Sequence, residues 1–351
     1  MTTEKDELEE VDEEDERDEL EELIHGFINY KYTDRENTWS DTCRRSAWRF
    51  VDYCDEKDID PYNHKWDKFA IEQIHSWLPD KYSGNSKQNI IMAIRELISY
   101  GSSQGDWDVL FRKGHPNSIY EAEVRASTTR YEEETGDEIP YIDREEHEAI
   151  LEVCTNPRDE LLFNTLWDTG CRPVELREAT IDDVDLKRGV INVQTAKRRK
   201  NPDDRDVYLK PSTERDLGLW LRRGGRTAFT TCEESEYVFP TKRSAKMSQG
   251  TVNRQIKRWA DKAGVQETAY KFEADHKMPW MDKPNKERTV ERRMVKINAK
   301  AYRHSFCVRA VKNGISLGIL ADLVGHVSPD SLKHYLKFRE DDREDAFDRY
   351  T

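Results

Sequence analysis

Several side chains in the second half of the chain have the types needed for phosphoryl transfer. Arg172 lies in Thr169-Gly170-Cys171-Arg172-Pro173-Val174-Glu175-Leu176, and Arg303 lies in Lys300-Ala301-Tyr302-Arg303-His304. A phosphodiester under attack becomes five-coordinate and gathers charge on its non-bridging oxygens. Guanidinium groups meet those oxygens with paired donors and stay protonated, so two arginines from separate helices can clamp them. His326, in Gly325-His326, can add a further hydrogen bond. Tyr335 stands nine residues later, and its phenol becomes a nucleophile on losing its proton. The departing sugar oxygen needs a proton, which a lysine on a mobile loop can deliver, and Lys197 sits in a basic loop. Fixed cations supply the electrostatic stabilisation, so this chemistry requires no metal and no cofactor. Taken singly, each residue also fits a structural role: Arg172 at a helix start, His326 at a helix end, Tyr335 as an amphipathic aromatic. Their order and spacing carry the argument.

Local patterns place these residues on elements. From Leu20 to about Tyr100 apolar residues recur at helical spacing, as in Leu20, Leu23, Ile24, Phe27 and Ile28, and in Ile90, Ile91, Ile94, Leu97 and Ile98. Without strand signals, this predicts an all-helical domain over 20–115, with Trp39, Trp48 and Trp77 in its core. A glycine-containing polar stretch marks a linker over 116–137, with a helix within 118–134. A second domain is expected over 138–345. Asp143 and Glu146 form a capping-box pattern, Pro157 opens a helix closed by Gly170, and Pro173 opens the next. Strand-like runs at 189–193 and 205–209 flank a polar turn, giving a hairpin whose loop carries Lys197, Arg198, Arg199 and Lys200. Helices are expected over 211–222, 248–263, 298–314, 317–324 and 329–338, with a short strand at 237–239. Residues 264–297 read as irregular, either a DNA contact or a surface insert. The fold class is mainly α with a small β-sheet.

Charge is divided unevenly along the chain. The formal net charge of the 351 residues is -14. Residues 1–22 hold 14 acids against Lys5 and Arg17, whereas 242–312 carry 19 Lys and Arg against 7 Asp and Glu. The first stretch predicts an acidic disordered tail over 1–19. The second is either a solvated charged face, the reading charge alone favours, or a phosphate-facing surface, with Arg254, Lys257 and Arg258 on one helix as candidate DNA contacts. No apolar run approaches the length of a membrane span, and the acidic N-terminus is no secretory signal. The six cysteines form no CxxC pair and no zinc spacing, so no metal is implied and a reducing cytoplasm is expected.

The order of the boxes resembles the tyrosine recombinase (phage integrase) family of DNA breaking-rejoining enzymes, across about 138–345. The resemblance implies a mixed α/β catalytic domain over 138–345, preceded by a helical SAM-like core-binding domain and followed by a tail over 346–351. It implies that Arg172 and Arg303 are the catalytic arginines, with Glu175 the partner of the first. Lys197 matches the lysine that protonates the 5′-hydroxyl, with Arg198, Arg199 and Lys200 close enough to compete for that assignment. His326 matches the Leu-Gly-His histidine, here Val324-Gly325-His326, and Tyr335 the nucleophile that forms a 3′-phosphotyrosine. Lys300 stands where the family usually has histidine, and could move protons or only bind phosphate. Few apolar residues follow Tyr335, so exchange of a C-terminal helix between subunits is in doubt. The implied partner is double-stranded DNA, bound by a homotetramer on paired sites, with no membrane. Alternatives are a topoisomerase IB-like relaxing enzyme and a catalytically silent DNA-binding regulator of the same fold.

Overall fold

The computed structural model describes residues 20–30, 38–78, 82, 84–105, 107–110, 112–124, 130–136, 139–195, 204–229, 231, 233–276, 285–326 and 328–340. The chain divides into two compact units, 1–136 with 271–292, and 137–270 with 293–351.

In the first unit, helix α1 (20–30) is followed by α2 (Thr38–Lys57), α3 (Lys68–Trp77) and α4 (Gly84–Gln104). Asp67 caps α3, its carboxylate accepting from the Phe69 and Ala70 N–H groups. Phe50, Trp66, Ile71, Ile74, Ile91, Ile94, Leu97 and Ile98 form the buried core. Trp48 is buried as expected and Trp77 is half-buried, while the Trp39 side chain lies outside the described residues. The unit is not purely helical. Strand β1 (Lys65–Trp66) pairs in parallel with β2 (Asp108–Val109). Two-residue strands leave no periodicity to read. A 3-10 turn (Ile119–Glu121) and α5 (Arg130–Thr135) occupy part of the stretch where one helix was expected.

The second unit follows the punctuation of its sequence. The Asp143–Glu146 capping box is formed at the start of α6 (Arg144–Val153). Helix α7 (Pro157–Thr169) ends on left-handed Gly170, and α8 (Pro173–Glu178) begins on its proline. A three-stranded antiparallel sheet has the order β3-β4-β5, with β3 at Val184–Asp185, β4 at Val190–Gln194 and β5 at Asp204–Tyr208. The hairpin β4–β5 was legible, whereas two-residue β3 was not. Helices α9 (Pro211–Arg222), α10 (Gln249–Ala263), α11 (Ala299–Lys312) and α12 (Leu317–Val324) follow. The expected strand at 237–239 is reduced to one bridge, Thr180 with Tyr237. A 3-10 helix (Pro329–Tyr335) and α13 (Lys337–Glu340) replace the single helix expected there.

The largest departure is at 264–297. This stretch is a two-stranded hairpin, β6 (Thr268–His276) and β7 (Asn285–Val295), not irregular chain. Tyr270, Phe272 and Ala274 alternate with Lys271, Glu273 and Asp275, the period of a strand. The high charge hides that alternation. Lys271 and Glu291 form an ion pair between the two strands at 3.0 Å.

Candidate active site

Gly170 has a φ of +58°, and a Cβ there would stand 2.4 Å from the Phe306 side chain. Only glycine fits such a turn. The turn lets α8 start at once, with Arg172 at its N-cap. Glu175 is buried and reaches back to that cap. One carboxylate oxygen accepts the Arg172 backbone N–H at 2.8 Å, and the other accepts Arg172 Nη1 at 2.8 Å. Burial pushes the Glu175 carboxyl up, but its contacts with Arg205 and Arg172 outweigh burial and leave it below the usual carboxylate range.

Arg303 projects from α11 and is buried. Its Nη1 donates to Gly170 O at 2.9 Å and its Nη2 to Val324 O at 2.6 Å. One guanidinium thus ties the turn before Arg172 to the end of α12, just before Gly325-His326. Burial, and then the nearby Arg172 charge, lower the Arg303 guanidinium below its ordinary value. Two cations held this close favour an anion between them. Past the left-handed Gly325, the His326 N–H donates to Ala321 O at 2.8 Å, and its Nδ1 lies 2.5 Å from Ser331 Oγ. That hydroxyl donates to Ser328 O at 2.7 Å. It therefore accepts from His326, which puts a proton on Nδ1.

Arg205 on β5 was not singled out from the sequence. Its Nη2 donates to Glu175 Oε2 at 2.7 Å, its Nη1 to Thr195 Oγ1 at 3.2 Å and its Nε to Leu323 O at 3.1 Å. The signal was present. Arg205 shares strand parity with buried Val207, so an arginine stands on the inward-facing row.

Tyr335 is buried, at 4% exposure, among Cys307, Val308, Leu320, Val324 and Leu332. Its hydroxyl is hydrogen-bonded to Nδ1 of His304, the residue after Arg303. Burial pushes the phenol above its ordinary value, Cys307 adds to that, and Arg303 opposes it. His304 Nε2 is buried without a hydrogen-bond partner. Burial brings the His304 imidazole down to about 3, with Lys300, His334 and Arg303 adding to the effect. His304 was also missed, because α11 is buried on most of its surface and a polar residue there leaves no mark on the apolar pattern.

Lys300 is exposed in the first turn of α11, one turn before Arg303. Residues at that spacing share a helix face. The β4–β5 loop residues Lys197, Arg198, Arg199 and Lys200 lie outside the described residues. Arg254, Lys257 and Arg258 line one shallow groove along α10, together with Gly250, Asn253 and Asp261. Among the described residues, no group of three His, Cys, Asp or Glu side chains is placed to hold a metal ion. Among those residues, no helix is long and apolar enough to cross a membrane.

The family model described as the phage integrase family matches residues 140–341. The chain belongs to the phage integrase family. Tyrosine recombinase XerA of Thermococcus kodakarensis is 28% identical over 199 residues, covering 55% of this chain and 56% of that protein. Tyrosine recombinase XerD of Vibrio vulnificus is 25% identical over 270 residues, 73% of this chain and 71% of that protein. The alignment with the first of these family members thus spans little more than half of its length. The fold is similar to that of XerH site-specific recombinase bound to palindromic difH substrate in a post-cleavage complex, with a TM-score of 0.64 and 18% identity. That match covers 92% of this chain and 94% of XerH. A mostly helical chain with small sheets is thus the architecture shared with this site-specific recombinase.

Proposed function

We propose that this chain is a site-specific tyrosine recombinase, which cleaves and rejoins DNA through a 3′-phosphotyrosine intermediate. The carrying observation is the Arg303 guanidinium bonded to both Gly170 O and Val324 O. It supports a single anion clamp built from Arg172, Arg303 and His326, with Tyr335 at its buried edge.

In this reading, the Tyr335 oxygen attacks phosphorus, loses its proton, and the bond from phosphorus to the 5′ oxygen breaks. Arg172 and Arg303 pair with the non-bridging oxygens, and His326 adds a donor. Lys197 protonates the leaving 5′ oxygen, with Arg198, Arg199 and Lys200 flanking it. Lys300 binds phosphate or relays the phenolic proton. The phosphotyrosine bond conserves the energy of the broken link, so religation by a 5′-hydroxyl needs no cofactor. Residues 20–115 act as a helical core-binding domain and 138–345 as the catalytic domain, on double-stranded DNA. Arg254, Lys257 and Arg258 on α10 make backbone contacts. Two recombining duplexes require four strand cuts, so the working assembly is a homotetramer on paired sites.

The test is covalent trapping. Protein is mixed with DNA fragments flanking its own gene and quenched in detergent, with Tyr335→Phe alongside. A protein–DNA adduct that the variant lacks is expected. DNA binding with no adduct, even on a nicked suicide substrate, would favour a silent regulator.

A further inference from the structure

Arg205 joins three segments that the chemistry needs in register. The first is the start of α8, through Glu175, which itself holds both the backbone and the side chain of Arg172. The second is the end of β4, through Thr195, two residues before Lys197. The third is the end of α12, through Leu323 O, three residues before His326. All three nitrogens of one planar group are engaged, so its orientation is fixed. Its side chain is 11% exposed, and the Glu175 side chain beneath it is fully buried. The fit is close on the His326 side as well. A Cβ on Gly325 would stand 2.8 Å from Arg205 Nη1.

Glu175 is therefore shared between two arginines with different surroundings. Its Oε1 accepts from Arg172 Nη1, while its Oε2 accepts from Arg205 and the Arg172 backbone. We infer that Arg205 is a positioning residue for the anion clamp: it fixes Glu175, and through it Arg172, against the turn that carries His326. The inference rests on the recombinase reading above. A lysine cannot reproduce the role, because a single ammonium cannot reach Glu175, Thr195 and Leu323 with the planar spread of a guanidinium. Misplacement of a clamp by about 1 Å is enough to cost on the order of a hundredfold in rate.

The test is single-turnover cleavage of a nicked suicide substrate at saturating protein. It compares wild type, Arg205→Lys, Arg205→Gln, Glu175→Gln and the double variant Arg205→Gln/Glu175→Gln. DNA affinity and thermal unfolding are measured on the same samples. Arg205→Lys keeps the charge and serves if Arg205→Gln does not fold. The expected result is a cleavage rate lower by about a hundredfold in both Arg205 variants, with DNA affinity kept. The double variant should be little slower than the slower single, because Arg205 acts on Arg172 through Glu175. A wild-type rate in Arg205→Lys, or multiplying losses in the double variant, would overturn the inference while leaving the recombinase reading intact. Absence of cleavage by wild type would overturn both.

Discussion

The Tyr335 hydroxyl and Nδ1 of His304 are hydrogen-bonded to each other inside an apolar cluster. In the proposed mechanism the phenol exchanges this partner for a phosphate as its oxygen attacks. His304 Nε2 has no hydrogen-bond partner in this arrangement, so the histidine gains no second bond by holding the tyrosine.

Removing the partner should release the nucleophile. A net hydrogen bond is worth about 0.5–1.5 kcal/mol, so His304→Ala should speed adduct formation in a preformed DNA complex by about two- to tenfold. Rapid-quench trapping of the covalent species measures this. A slower variant would mean that His304 assists the attack.

Two buried histidines give a sign to the acid stability. Burial brings His304 to about 3, with Lys300 and two other cations adding. Burial also brings His147 to about 4, outweighing its bond to Asn164. Both folded values lie below the ordinary 6.5. Between about pH 6.5 and 4 the unfolded chain therefore takes up protons that the folded chain does not, and stability falls as pH falls. Each histidine contributes a slope of up to about 1.4 kcal/mol per pH unit. Urea unfolding across this window should show a shallower slope in His147→Gln and in His304→Gln than in wild type. An unchanged slope would contradict the neutral assignment.

The turn at Gly170 should be far less tolerant than the one at Gly264. Both have positive φ, but a Cβ at Gly170 meets the Phe306 side chain at 2.4 Å, whereas one at Gly264 meets nothing within 4 Å. Gly264→Ala should lose only the backbone term of about 1–2 kcal/mol. Gly170→Ala should lose clearly more in chemical denaturation and should also slow cleavage, since Gly170 O holds Arg303. Equal losses at the two sites would show that Phe306 yields without cost.

Residues on the α10 groove should act on affinity without regard to sequence. Arg254→Ala and Lys257→Ala should each weaken binding to specific and random duplex alike, and reduce the salt dependence of log K by about one unit. Fluorescence titration at several salt concentrations measures this. A loss confined to one DNA sequence would instead indicate base contact.

Much of the second unit is written in local chemistry. Gly170 closes α7, Pro173 opens α8 and Asn298 caps α11, each within one turn of helix, so the elements bearing Arg172 and Arg303 could be placed from their neighbours in sequence. The residues that hold those elements together act across the fold. Arg205 meets Glu175 from 30 residues away and Leu323 from 118. His304 meets Tyr335 from 31. No local period records such contacts. The hairpin β6–β7 was missed for a different reason. Its alternation runs through Tyr270, Phe272 and Ala274, but the charged positions between them mimic a solvated loop.

The most direct measurement is the site and polarity of the covalent bond. DNA trapped on the protein would be digested to a nucleotide remnant, the modified peptide identified by mass spectrometry, and the released DNA end tested for a free 5′-hydroxyl. The account predicts a 3′-phosphate ester on Tyr335 and a free 5′-hydroxyl on the other fragment. An adduct on any other residue, or a 5′-phosphate ester at Tyr335, would contradict it.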